Sequence, residues 1–345
     1  MSPNQSESGP ALGPVVALAG GVGAAKLLRG LVQVVPPAEV IAVVNTGDDC
    51  EFYGVHVSPD LDIVTYTLAG VVHPQLGFGL EGDSFALVER LTKLGHATWF
   101  RLGDRDFANC LHRTLRLRDG AGLSRVTDEL RRSHGLATRI LPMSEDPSPT
   151  LVALDDGSVV HFEEYLVRDG APDAVQSVDL SAAERAVPAP GVLDAIAQAR
   201  VILLCPSNPV VSIGPILALS GLRDALKASA APVVAVSPIV GGAAVKGPAA
   251  QLLRGTGCEV SARGVAGLYR DFLDGMVIDD RDSAQASDLV ALGIRPAVTD
   301  TLMVDAAASA RVAQTALELA AELADERAAA LASGATPKAE TETRQ

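Results

Sequence analysis

Positive charge is in short supply in this sequence. Across 345 residues, 28 Lys and Arg face 42 Asp and Glu, a formal charge of −14. That balance works against a general role on nucleic acid or on an anionic membrane surface. Cysteine is equally sparse: Cys50, Cys110, Cys205 and Cys258 are the only four, and none pairs at metal-knuckle or redox spacing. Reduced thiols in a cytoplasm are the expectation. No apolar run approaches the roughly 20 residues that a membrane helix needs. The opening MSPNQSESGP lacks the basic and apolar segments of a signal peptide, so a soluble, cytoplasmic protein is expected. Aromatic residues reach only 3%, which leaves few rings for any planar ligand to stack on.

What is present is apolar and patterned. With 48% hydrophobic residues, the chain can bury one large core or two modest ones. Short β-rich runs, VVALA (15–19), VIAVV (40–44), VILLC (201–205), VVAVS (233–237) and MVI (276–278), alternate with helical patterns. That alternation predicts an α/β fold, a Rossmann-like doubly wound and mostly parallel sheet. The middle breaks the rhythm. Residues 80–132 read as largely helical and 151–167 as a β-hairpin turning at Asp156-Gly157, so 80–170 is expected to be an inserted cap region. Residues 1–13 and 333–345 are polar and lack apolar periodicity, the pattern of disordered tails; between them, 14–332 reads as a single domain.

The first run leads straight into GGVGAAKLLRG (20–30). Gly20, Gly21 and Gly23 suit either a phosphate at a helix N-terminus or a tight strand-to-helix turn. Lys26 occupies the place of the third glycine of a dinucleotide fingerprint, and the Walker pattern is absent. Lys26 either reaches the phosphates or lies on the helix surface. After the second run, NTGDDCEFYGVHVSPDLD (45–62) gathers five carboxylates into eighteen positions. In a parallel sheet this loop shares the carboxyl edge with the glycine turn, where ligands of open α/β sheets bind. Oxygen ligands suit magnesium, which takes one or two carboxylates plus substrate phosphates. Asp48, Asp49 and Asp62 are the better candidates. Glu51 and Asp60 read as solvated or helix-capping, with Ser58 and Asp60 as N-cap types, and His56 reads as a packed or surface residue.

Five arginines fall within eighteen residues, at 101, 105, 113, 116 and 118, and suggest anion contacts. Phe107, Cys110, Leu111, Thr114 and Leu115 recur at helical spacing and predict a core-facing stripe, leaving Arg113 and Arg116 to face elsewhere. Arg101 ends an apolar stretch at a turn. Two later strands end in comparable loops. CPSNPVVSIGP (205–215) offers Ser207, Asn208 and Ser212, and SPIVGGAAVKGP (237–248) offers Gly241, Gly242 and Lys246. Three anion-friendly loops at one sheet edge point to a nucleotide diphosphate.

In order along the chain, GGVGAAKLLRGL, NTGDD, SPDLDIVTYTLAG, RLGDRD, ILPMSEDP, PSNPVVSIGPIL and AVSPIVGG resemble the 2-phospho-L-lactate transferase family of coenzyme F420 biosynthesis. The resemblance spans about residues 15–305. It implies a Rossmann-like nucleotide-binding fold and a magnesium-dependent transfer. The hydroxyl of the deazaflavin Fo would attack a guanosine diphosphate-linked donor, lactyl- or enolpyruvyl-2-diphospho-5'-guanosine, to give F420-0 or dehydro-F420-0 and GMP. Asp62 and Arg101 match positions that contact the deazaflavin in that family, and Phe78 stands where relatives often carry tryptophan. The glycine turn, the PSNP loop and the SPIVGG loop match the nucleotide side.

The expected mechanism follows from these parts. Asp48, with Asp62, holds Mg2+; Lys26 and Lys246 fix phosphate oxygens; Asp49 or Asp62 orients or deprotonates the attacking hydroxyl. The partners are then small molecules, without nucleic acid or membrane, and a homodimer is the default assembly. Three other classes compete, one of them a structural or partner-binding protein, which would not need convergent polar loops at one sheet edge. A regulatory nucleotide-binding protein of the gluconeogenesis-factor type would bind no Fo. An NAD-dependent oxidoreductase would want a third glycine where Lys26 stands.

Overall fold

Strand β1 (Val15–Ala19) is wholly buried and splits its side chains between two cores. Val16 and Leu18 join one apolar cluster, while Val15, Ala17 and Ala19 join the other, as the period of a strand buried on both faces requires. Its neighbour β2 (Val40–Val44) repeats the pattern. A hairpin follows, β3 (Cys50–Phe52) with β4 (Val55–Val57), and then β5 (Arg139–Pro142). Three antiparallel strands come next: β6 (Leu151–Leu154), β7 (Val159–His161) and β8 (Val175–Asp179). The chain closes with β9 (Val201–Leu204), β10 (Val233–Val236), the short ladder β11 (Ile239–Val240) and β12 (Ala243–Ala244), β13 (Gly275–Asp279) and β14 (Arg295–Thr299).

The main sheet has seven strands in the order β14-β13-β10-β9-β1-β2-β5, and every neighbouring pair is parallel. The chain winds outward from β1 through β2 to β5, returns to β9, and winds out the other way. This is the expected doubly wound fold. Its switch point lies between β1 and β9, where open α/β sheets form a crevice at their carboxyl edge. The structure, a computed structural model, describes residues 13–332. The expected tails lie outside the described residues apart from Gly13, whose carbonyl accepts from Arg200 Nη1 at 2.8 Å. Among the described residues no helix is long and apolar enough to cross a membrane.

Two strands of the main sheet lie outside the expected runs. β5 lies inside the 80–170 stretch yet pairs with β2 from Ile41–Arg139 to Val44–Pro142, so that stretch is more than a cap. β14 is a half-exposed edge strand with too little apolar content to signal itself. The hairpin does turn at Asp156-Gly157, and β8 extends it to three strands.

Helix α1 (Gly21–Val34) follows β1, and α2 (Pro59–Leu68) follows the hairpin of β3 and β4. The middle of the chain supplies α3 (Ala86–Lys93), α4 (Asp104–Arg118) and α5 (Leu123–Ser133). The starts of α3 and α4 cap each other. Asp83, just before α3, accepts from the Arg105 and Asp106 N–H groups at 3.0 and 3.1 Å. Asp104, within α4, accepts from the Ala86 and Leu87 N–H groups at 3.0 and 2.9 Å. Each carboxylate thereby serves orphan donors of the other helix.

The inward face of α4 differs from the expected stripe. Cys110, Arg113 and Thr114 are buried, whereas Leu111 and Leu115 are 39% and 51% exposed. Arg113 was expected to face elsewhere, but it is the largest fully buried side chain described.

The C-terminal helix (Ala306–Ala332) lies along α1, and Gly30 sets their approach. A Cβ there would lie 2.2 Å from the Ser309 carbonyl atoms. An alanine in a helix interior ordinarily gains about 0.5–1 kcal/mol over glycine. Here Gly30→Ala is expected to destabilise by about 1–3 kcal/mol, the cost of overpacking. Urea denaturation checks the sign, and a raised midpoint would mean that the two helices are free to move apart.

Candidate active site at the carboxyl edge of the sheet

The turn after β1 is glycine because neighbouring loops approach it closely. At Gly20 a Cβ would sit 2.6 Å from Ser212 Cβ and 2.8 Å from Asp60 Oδ2, and at Gly23 it would sit 2.2 Å from the Pro206 carbonyl oxygen. Gly21 adopts φ +69°, a left-handed conformation that favours glycine. The Gly20 N–H donates to Ser207 Oγ at 3.1 Å, and the Gly21 N–H donates to Asp60. Two donors expected to face a phosphate are therefore held by protein groups. The Asp60 carboxylate occupies the positive end of the α1 dipole.

Asp60, expected to be solvated or to cap its own helix, does neither. It is 4% exposed and takes a 2.9 Å hydrogen bond from Asn45 Nδ2. Asn45, itself fully buried, also donates to the Val211 carbonyl at 3.3 Å and accepts from the Gly47 N–H at 2.8 Å. One amide thus ties the loops after β2 and β9 to the start of α2.

Asp48 and Asp49 follow on the same loop. Asp48 is 4% exposed, and its Oδ1 has no hydrogen-bond partner. Asp49 Oδ2 accepts from Ser58 Oγ at 2.7 Å and meets His56 Nε2 at 3.0 Å, while its Oδ1 has no partner. Ser58 holds the N-cap position of α2 as expected, but its hydroxyl turns to Asp49 rather than to the helix, and His56 is a partner of the same acid. Burial, and then the charges of Asp60 and Glu163, hold the Asp48 carboxyl well above the usual carboxylate range. Burial also raises Asp49 against the pull of His56. Burial pushes Asp60 up to about 7.

The β6–β7 segment brings groups that the sequence reading missed. The Thr150 N–H donates to the Gly47 carbonyl at 2.8 Å, and the Phe162 N–H to the Thr150 carbonyl at 3.0 Å. Thr150 and Glu163 are thereby set beside the acidic loop. Glu163 is 5% exposed and is pushed up to about 8 by burial, then by Asp60 and Asp49. His161 Nδ1 accepts the Glu163 N–H at 3.2 Å, which places the proton of the neutral ring on Nε2. That Nε2 is buried without a partner, as are Thr46 Oγ1, Ser148 Oγ and Thr150 Oγ1. Four buried acids and several idle hydroxyl oxygens make a region rich in lone pairs and poor in cations.

Asp62 has different company. Both of its oxygens are held by Arg113: Nη1 donates to Oδ2 at 3.1 Å, and Nη2 pairs with Oδ1. Asp106 accepts from Tyr66 Oη at 2.7 Å, and Asn109 Nδ2 donates to the same phenol at 2.9 Å. Among the described residues, the acid, thiol and imidazole groups that converge within 4.8 Å in threes are Asp62, Asp106 and Cys110. The guanidinium of Arg113 already supplies the positive charge there. Burial and then Asp62 push Asp106 up to about 7. Asp62 thus has both oxygens taken by Arg113, whereas Asp48 Oδ1 is open.

Aromatic residues are few, yet they gather beside this network. Phe52 stacks on Phe100 at 3.9 Å and 7°, and Trp99 meets Phe52 edge-on at 5.1 Å. Arg101 is exposed, its guanidinium 4.4 Å from the centre of the Phe85 ring.

On the opposite flank, Lys246 Nζ donates to the Leu76 carbonyl at 2.6 Å and lies 5.4 Å from the centre of the Phe78 ring. Burial, then the charge of Lys26, lowers its pKa. Asn208 spends its Oδ1 on the Val210 N–H at 3.0 Å, and Ser212 is buried against Gly20. Gly241 and Gly242 have φ +59° and +75°. The Gly241 N–H is taken by Asp282 at 2.8 Å, and Arg281 lies alongside. Arg281 and Asp282 follow β13 without any glycine or periodic signal to mark them.

A parallel doubly wound sheet with buried acids at the carboxyl edge places the protein in the class of open α/β folds, whose ligands bind at that edge. The chain belongs to the 2-phospho-L-lactate transferase CofD family, whose sequence model matches residues 15–316, and it is therefore a transferase. It is 45% identical over 315 residues to the phosphoenolpyruvate transferase of Kitasatospora aureofaciens, covering 90% of this chain and 98% of that one. It is 40% identical over 310 residues to the 2-phospho-L-lactate transferase of Methanopyrus kandleri, covering 89% and 97%. A solved structure of a upf0052 family member from Bacillus halodurans superposes with a TM-score of 0.58 at 18% identity, over 90% of this chain and all of that one. That likeness establishes a common fold.

Two outcomes follow from the buried charges. Arg113→Ala leaves Asp62 buried without its cation and is expected to cost about 3–5 kcal/mol, most of it recovered by Arg113→Met combined with Asp62→Leu. Denaturant titration of the three proteins measures this. In chelator, Asp60 and Asp106 (about 7) and Glu163 (about 8) bind protons more tightly folded than unfolded. Their stabilisation is complete below about pH 4 and is lost as pH rises through 7 to 8. His161, with a lowered pKa, acts in the opposite sense as a single group. Unfolding free energy is expected to be lower at about pH 8 than at about pH 5, and a rising profile would show that the acids are not destabilised by burial.

Proposed function

We propose that this transferase moves a phospholactyl or phosphoenolpyruvyl group from a guanosine diphosphate-linked donor to the hydroxyl of Fo, with Mg2+ as cofactor. The observation that carries the reading is the buried oxygen-rich group around Asp48 at the switch point, with Lys26 and Lys246 on its flank. Family membership supplies the class of reaction, and the names of the two relatives supply the two candidate acyl groups.

The residues fit a hard divalent cation. Asp48 Oδ1 and Asp49 Oδ1 are buried oxygens without partners, and magnesium characteristically takes only one or two carboxylates, completing its shell with water and phosphate. Asp48 would be the principal ligand. When bound, the ion supplies charge neutralisation at the donor's phosphate oxygens.

The chain's own groups do the rest. Lys26 and Lys246 bind the remaining oxygens of the diphosphate, and the later turns after β9 and β10 shape the nucleotide side. The aromatic group around Phe52 and Phe100, with Arg101 at its rim, offers faces for the deazaflavin. In the transfer, the Fo hydroxyl oxygen bonds to the phosphorus that carries the three-carbon acid. The bond from that phosphorus to the bridging oxygen breaks, GMP leaves with the electron pair, and the hydroxyl proton passes to a base. Asp49, fixed by Ser58 and His56, stands next to the principal ligand and is the base this geometry favours. Asp62, with both oxygens held by Arg113, acts as a rigid acceptor for the deazaflavin rather than as a metal ligand.

Purified protein incubated with Fo, each donor and magnesium is expected to release GMP and yield a deazaflavin heavier by the phosphoacyl group. Asp48→Asn should reduce that rate roughly 100-fold or more, the scale of losing a charge-stabilising group, with unchanged circular dichroism. Full activity in the variant would remove Asp48 from the site, and no product with either donor would refute the substrate assignment.

A further inference from the structure

Glu163 lies about a hundred residues beyond the acidic loop in sequence, yet it belongs to the same electrostatic group: Asp48 feels its charge directly, and Glu163 feels Asp60 and Asp49. We propose that the Glu163 carboxylate is part of the divalent-cation site, delivered to Asp48 by the β6–β7 hairpin. This rests on the magnesium reading above and extends it to a residue outside the Asp48 loop.

Three observations carry it. The first is placement. Main-chain hydrogen bonds run from Gly47 to Thr150 and from Thr150 to Phe162, so the residue before Glu163 is fastened to the residue that positions the one before Asp48. The second is the state of the side chain. Glu163 is 5% exposed, and its carboxylate makes no hydrogen bond or ion pair among the described residues. A carboxylate on so buried a residue is costly to ionise without a donor or a cation beside it. The third is independent of acid charge. Thr150 Oγ1, fully buried, and Asp48 Oδ1 are also without partners, so a neutral and a charged oxygen on the two joined segments share the same deficit. A bound cation satisfies all of them together. It also turns the hairpin from a neighbour of the sheet edge into a strap across it, because the ion then bridges residues of the β2 loop and the β7 end.

The test is Mn2+ binding to the full chain with GDP present, followed by titration calorimetry and by the paramagnetic signal of the ion. No turnover is involved. Glu163→Gln preserves shape and removes charge, and it is expected to weaken Mn2+ binding tenfold or more, the range seen when a supporting ligand of a metal site is lost. Bound Mg2+ is expected to slow amide exchange across residues 150–165 in the wild type and to lose that effect in Glu163→Gln. Mn2+ affinity within twofold of wild type would overturn the assignment while leaving magnesium at Asp48 intact. If the wild type itself binds no Mn2+, the magnesium reading falls and this inference falls with it. If Glu163→Gln does not fold, Glu163→Asp keeps the charge but withdraws it by one methylene. An intermediate loss supports the proposal, and undiminished affinity rejects it.

Discussion

The close approach of the glycine turn to the loop after β9 is the constraint from which the rest of the site follows. With Gly23 against the Pro206 carbonyl and the Gly20 N–H on Ser207, α1 is drawn tightly to the switch point. That places its N-terminus within reach of Asp60, and Asn45 completes the knot by binding Asp60 and the Val211 carbonyl together. No side chain intervenes where these backbones meet, and the acidic loop begins inside the protein, with Asn45, Thr46 and Asp48 buried.

Burial then decides what the acids are for. Exposed carboxylates would be ordinary, but Asp48, Asp49, Asp60 and Glu163 sit together in low dielectric with raised pKa values, an arrangement that costs stability unless positive charge arrives. A few residues away, the same cost is met within the protein, where Arg113 neutralises Asp62. The two neighbouring acid groups thus take opposite solutions: one carries its own cation, and the other leaves oxygens open. That contrast separates an Asp62 neutralised within the protein from an Asp48 whose Oδ1 is left open.

Much of this was legible in the sequence, and the remainder fails for identifiable reasons. The five buried strands announce themselves as β-branched runs, and the glycine turns mark the switch point because no other residue fits there. β5 is a strand of four residues ending in proline, and β14 is half exposed, so neither has the apolar continuity that reveals its neighbours. Asp60 satisfies every local rule for capping α2, yet its partners are Gly21 and Asn45, which local rules do not see. The helical period of α4 is correct, but its phase is set by Asp62, 51 residues away, which pulls Arg113 inward and rolls Leu111 and Leu115 outward. Glu163 carries no local signal at all, because only the register of the β6–β7 hairpin brings it to Asp48.

The mutual capping of α3 and α4 has a mechanical meaning. Because Asp83 serves the start of α4 and Asp104 serves the start of α3, neither helix can fray at its first turn without uncapping the other. The two behave as one cooperative unit in the sense of local unfolding. The aromatic floor formed by Phe52, Trp99 and Phe100 adjoins that unit, with Arg101 resting on Phe85 at its edge. Any movement of this part would then be that of a stiff plate, its compliance confined to the connections at either end.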